Sequence, residues 1–157
     1  MSEDPVYGSD PNSGGGASRD EGFQAWLAMN DYLVDEDFLV FDVEDMPDDP
    51  FTEEGLNVAE AEAIRRFPDP ATALAEDNRE QSDKFIRFIG ETFVRGLGGE
   101  WTNDAQDGTD RAFIGVRFDG LERIVTPPTL FTAALARRRG GEWAFVYHQA
   151  AKDLGRL

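Results

Sequence analysis

The chain has 157 residues, enough for one domain with a core of its own, and 40% of them are hydrophobic, including 12 Phe. It has no Cys and one His, which excludes disulfides, thiolate nucleophiles and Cys-based zinc sites and leaves transition metals short of ligands. Its formal net charge of −17 is confined to one end: Met1 to Ala63 carry 18 acidic residues and one basic one, while Ile64 to Leu157 carry 14 of each.

Residues 1–20 combine Gly14-Gly15-Gly16 with two Pro, four Ser and few large apolar side chains. So little burial does not offset the entropy of ordering, and the segment is expected to be a disordered acidic tail. Residues 21–157 are then expected to form a single domain, acidic over 21–63 and charge-neutral over 64–157. The N-terminus has neither the basic start nor the apolar stretch of a signal peptide, and no apolar run approaches the ~18 residues of a membrane span. The expectation is a cytoplasmic protein without membrane contact.

Phe23, Trp26, Leu27, Asn30, Leu33 and Val34 approximate one helical face, with Asp20 as N-cap. Asp37-Phe38-Leu39-Val40-Phe41-Asp42-Val43 is short and rich in β-forming residues, which predicts a strand. Glu44 to Pro50 breaks regular structure. Asn57 can cap a short helix through Arg66, and Asp69-Pro70 pairs an N-cap with proline at the first helical position. Leu74, Gln81, Phe85, Phe88, Ile89 and Phe93 keep a helical period beyond it, with a half-turn or break at Glu76 to Glu80. Gly90 inside that helix costs about 1 kcal/mol against Ala, which predicts close packing against another element.

The remainder alternates. Strands are expected at Trp101-Thr102, Ala112 to Phe118, Glu122 to Val125 and Glu142 to Tyr147, with turns at Asp107-Gly108 and Asp119-Gly120. A helix is expected from Thr126-Pro127-Pro128 to Arg139, and a small one from Ala150 to Leu157. Loops this short predict an α+β fold, an antiparallel sheet of about four to five strands with helices packed on one face.

One tetrapeptide repeats: Gly98-Gly99-Glu100-Trp101 returns as Gly140-Gly141-Glu142-Trp143. Both copies read as a helix stopped by glycine in the left-handed conformation, then a strand opening on a Trp that packs back on the helix it leaves. The first copy, with Phe85-Ile86-Arg87-Phe88-Ile89-Gly90-Glu91-Thr92-Phe93 before it, resembles the helix-to-strand core of small bacterial α+β proteins of the immunity-protein and secretion-chaperone kind. The likeness covers roughly residues 70–148. It implies no shared catalytic residues and, by that, a binding role.

The residues offer little for catalysis. His148 is the only His and Ser82 the only Ser beyond the first 20 residues, so no nucleophile triad is assembled. Asn103-Asp104-Ala105-Gln106-Asp107-Gly108 has the Asp-Gly of a calcium loop but Ala105 and Ile114 at ligand positions, and reads better as a hairpin turn. Gly96-Leu97-Gly98-Gly99 lacks the Lys and Ser/Thr of a phosphate loop. Arg137-Arg138-Arg139 suits a helix C-terminus, and the neutral second half does not favour nucleic acid. Glu91, with Asp77 or Glu80 on the same helix, is the best pair for acid–base work, although helical carboxylates usually form a solvated face. No cofactor and no metal are expected.

The acidic stretch from Asp31 to Glu54 is interleaved with aromatic residues. Acidity alone keeps a protein dispersed. Acidity with aromatics also suits docking on a basic protein, charge steering the encounter and buried rings holding it. Candidate contact residues are the carboxylates Asp35, Asp42, Glu44, Asp45, Asp48 and Asp49 with the rings Phe38, Phe41 and Phe51. The expected function is a non-catalytic inhibitor or immunity-type antagonist of a basic partner. The alternatives are a secretion-type chaperone binding a client, and a carboxylate enzyme. A free edge strand would also allow a homodimer.

Overall fold

Thr52 and Asp69 open helices by the same chemistry: each side-chain oxygen accepts the amide of the residue three positions on, Gly55 in one case and Thr72 in the other. Thr52 starts α2 (Glu53–Arg66), five residues upstream of Asn57, and Asp69 with Pro70 starts α3 (Pro70–Leu74) as its residue types require. The computed structural model describes residues 21–103 and 114–157. The expected tail over 1–20, the Asp107-Gly108 turn and the first residues of the expected strand from Ala112 lie outside them.

In chain order, residues 21–28 form α1, and a π-helix follows over Asp31–Asp42. After α2, α3 and a 3₁₀ turn at Glu76–Asn78 comes α4 (Arg79–Leu97), the longest element described. Then come β1 (Glu100–Thr102), β2 (Gly115–Arg117), α5 (Pro127–Arg137) and α6 (Glu142–Asp153). The two strands pair antiparallel with Trp101 opposite Val116, and Val125 adds one bridge to Val116.

The fold is therefore helical with a two-stranded ribbon, which corrects the expected α+β sheet of four to five strands. Residues 37–42 and 142–147 hold β-favouring side chains but belong to helices, Val43 is the extended residue that ends the first of them, and Glu122 to Val125 reaches only a single bridge. Val, Phe and Tyr fill a strand because they suit a half-buried surface, and a buried helix face suits them equally. Of the helix expected from Ala150 to Leu157, only the part to Asp153 is helical, and it is the end of α6.

The core is a phenylalanine cluster around α4. Phe85 lies against Phe38, Phe67 and Phe131, and Phe88 against Phe38 and Phe51, with ring centroids 4.9–6.0 Å apart. Edge-on and offset pairs of this kind add to the burial of each ring. The α2–α6 contact is fastened by one carboxylate. Glu60, fully buried in α2, accepts the backbone amides of Glu142 (3.2 Å) and Trp143 (2.9 Å) at the start of α6. Those amides have no intrahelical partner, so the anion completes the helix N-terminus.

The two Gly-Gly-Glu-Trp copies part company here. Gly98, at φ 75°, ends α4 and leads into β1, whereas Arg138 takes the left-handed stop of α5 and Gly141 becomes the N-cap of α6. The strand expected after the second copy is a helix because Glu60 holds its amides. What the copies share is the tryptophan: Trp101 covers Gly90 of α4, and Trp143 Nε1 donates to the Leu130 carbonyl of α5 at 2.7 Å. A Cβ at position 90 would stand 1.9 Å from the Trp101 ring, so the helix needs glycine there.

Candidate protein-binding surface

The acidic segment meets α4 through charge. Lys84 Nζ lies 2.7 Å from Asp42 Oδ2 and 3.1 Å from Asp37 Oδ1. Positions five apart stand about 140° apart on an α-helix at 3.6 residues per turn. The wider i→i+5 winding of a π-helix narrows that angle, so a single ammonium reaches both. Burial pulls the Lys84 pKa down, but the hydrogen bonds and attraction to the Asp42 and Asp37 carboxylates outweigh it and hold the pKa above the ordinary value.

One turn toward the C-terminus of α4, Arg87 Nη1 donates to the Trp26 carbonyl (2.6 Å) and to Asn30 Oδ1 (2.8 Å), with its guanidinium 4.1 Å from the Trp26 ring. Further along, Arg95 contacts Glu91 (2.7 Å) and Asp35 (3.0 Å) and covers the Phe51 ring at 4.3 Å. Burial opposes the charge of Arg95 too, and Glu91 and Asp35 again raise its pKa. Buried Glu91 accepts from Arg95, from Trp101 Nε1 (2.6 Å) and from Asn30 Nδ2 (3.2 Å). Its oxygens are occupied by three donors, an anchoring arrangement for the π-helix and for β1.

The outer side of the segment mixes apolar and acidic residues. Exposed positions come in pairs, Asp31/Tyr32, Asp35/Glu36 and Val40/Phe41, four and five residues apart, which is the repeat of the wider π winding. Tyr32 is 54% exposed, Val40 60% and Phe41 77%, and Met29 at 46% lies just before them. Beyond the helix the chain turns with Asp45 at φ 64°, leaving Glu44, Asp45, Asp48 and Asp49 exposed. Asp49 Oδ1 also accepts the Phe51 amide at 3.1 Å.

The nine expected contact residues divide accordingly. Phe41, Glu44, Asp45 and Asp48 face solvent, and Asp49 does so while holding its turn. Phe38 is in the core, and Phe51 packs against Phe88 and Arg95. Asp42 is engaged by Lys84 and Asp35 by Arg95. The list lacked Met29, Tyr32, Glu36 and Val40, which are spaced three, four and four residues apart; that helical spacing was the available signal and does not fit a strand. His148 lies on α6 rather than at a strand end, half-exposed, with Nδ1 3.1 Å from Glu53 Oε2.

Among the described residues no helix is long and apolar enough to cross a membrane, and no group of three potential ligands is placed to hold a metal ion. No family model matches the chain, and neither a curated protein nor a solved structure does.

Proposed function

We propose that the protein is a non-catalytic binding module that antagonises a basic protein partner, and that the outer face of the π-helix is where it docks. The observation that carries this reading is the stripe of Tyr32, Val40 and Phe41, exposed on the most acidic segment while Asp37 and Asp42 of the same helix are engaged by Lys84, and Asp31 and Asp35 by Arg95. Large apolar side chains left outside on a charged helix give a partner an anchor to bury, and Glu36, Glu44 and Asp45 form a charged rim that steers approach.

The test uses a Lys/Arg-rich amphipathic helical peptide carrying Leu and Trp, followed by fluorescence anisotropy with the whole chain. Tyr32→Ser with Phe41→Ser is expected to weaken binding at least about tenfold, since each buried aromatic anchor is worth ~2 kcal/mol or more. Glu44→Gln with Asp45→Asn is expected to flatten the salt dependence, because the lost charges no longer attract over a Debye length of about 8 Å at physiological salt. Unchanged affinity in the ring variants would remove this surface from the function. A client-binding chaperone reading keeps the same rings but predicts binding of apolar segments of any charge, so an uncharged peptide of equal hydrophobicity separates the two.

A further inference from the structure

A groove lies between α5 and α6. It is an open cavity of ≈ 730 Å³ with Leu130, Ala133, Phe145 and Val146 as its apolar lining. Phe145 is 63% exposed within it. At the Gly140-Gly141 end stand two arginines: Arg137, paired with Glu142 at 2.6 Å, and Arg139, which has no ion pair or hydrogen bond among the described residues. An occupant that suits this groove brings apolar side chains for Phe145 and Leu130 and carboxylates for Arg139.

The π-helix stripe carries that set: Tyr32, Val40 and Phe41 offer rings and an apolar side chain, and Glu36, Glu44 and Asp45 are anionic. We infer that the groove receives the stripe of a second copy of the chain, giving weak head-to-tail self-association that covers the docking face. The inference rests on the reading of that face as a docking surface. The two patches lie on different elements, so the contact is heterologous, and such contacts do not close unless the rotation happens to form a ring. Each copy carries −17, and that repulsion acts over long distances, so it is screened before the charges that touch. Self-association is therefore expected near physiological salt and at high protein concentration.

Sedimentation velocity of the whole chain, from about 10 μM to about 1 mM at ~0.15 M salt, where the Debye length is near 8 Å, tests this. The wild type is expected to shift to species beyond the dimer as concentration rises. A stripe variant (Tyr32→Ser, Phe41→Ser) and a groove variant (Arg139→Glu, Phe145→Ser) are each expected to stay monomeric, with circular dichroism melts like the wild type. Mixed together they retain one working patch apiece and are expected to form a dimer that stops there. A wild type that is monomeric throughout, self-association that survives the groove changes, or a mixture that stays monomeric would each overturn the inference. A monomeric wild type whose groove takes up a peptide of residues 29–45 would assign the groove to an acidic segment of another protein, again overturning it. The groove variant keeps its stripe and is expected to bind the basic peptide as the wild type does, so failure of self-association leaves the proposed function standing.

Discussion

Helix α4 meets α5 through Phe85 and Phe131, stacked with centroids 5.9 Å apart, and it meets the π-helix through Lys84, Arg87, Glu91 and Arg95. The first contact hides its apolar side chains and leaves polar ones outside. The second is half inverted: Val34 and Phe38 point in with Asn30, Asp37 and Asp42, while Tyr32, Val40 and Phe41 point out. The lesson is that a helix docked by ion pairs beside a buried Phe38 has apolar residues left over for another protein. The two kinds of interaction also differ in strength. Ion pairs that keep partial solvent access are worth about 0–1 kcal/mol each, whereas a buried Phe contributes several times that.

Substitutions can break this comparison, and the largest effect is expected at Phe38. Phe38→Ala empties a core site between Phe85 and Phe88 and is expected to cost about 3–5 kcal/mol in urea unfolding. Gly90→Ala pushes Trp101 off α4 and strains its hydrogen bond to Glu91, for a loss of about 1–3 kcal/mol. Lys84→Met leaves Asp37 and Asp42 without their cation. It is expected to cost about 1–2 kcal/mol and to speed amide exchange over residues 31–42 with little change in α4.

Glu60 sharpens the comparison from the side of the core. Burial raises its pKa above the usual carboxylate value, against the two backbone amides that lower it, and the neighbouring Glu142 adds to the rise. The folded state then holds the proton more tightly than the unfolded chain. The contribution of Glu60 is fullest below the unfolded pKa and is lost as pH climbs through the folded one. Glu60→Gln has no such proton, and it replaces one of two accepting oxygens, so it costs about 1 kcal/mol near neutrality. Urea midpoints for both proteins are expected to diverge further as pH falls through the folded pKa, the wild type gaining. Convergence on acidification would show that the helix terminus, not burial, governs this carboxylate.

The smallest effect is expected at Phe41. Phe41→Ala should change stability by no more than about 0.5 kcal/mol, because the ring is already in solvent. Phe38 and Phe41 are three residues apart, and their separation by several kcal/mol would verify which side of the π-helix faces the core.

Local features were legible where the residues themselves make the contact. Asp69-Pro70 opens a helix with groups three residues apart, Gly98 stops one, and the cost of Gly90 announced a close neighbour. The acidic aromatic segment was also legible as the place for a docking face, but not which rings would be free. Phe38 and Phe41 have the same side chain within one β-rich run. Their fates depend on the winding, and the winding depends on Lys84, more than 40 residues away, drawing Asp37 and Asp42 together. The charge division along the chain likewise is not a division in space, since acids of the first part neutralise cations of the second.

The repeated tetrapeptide marks the boundary between the two kinds of information. By itself the sequence determined that the first Gly-Gly would stop a helix and that each Trp would fold back on the helix before it, because backbone freedom and ring burial are properties of those residues. Only the tertiary structure decided that Glu100-Trp101 would enter a strand and Glu142-Trp143 a helix. The amides at 142 and 143 have the Glu60 carboxylate waiting for them, and residues 100–102 have β2 to pair with. Backbone amides take whichever acceptor the rest of the fold presents.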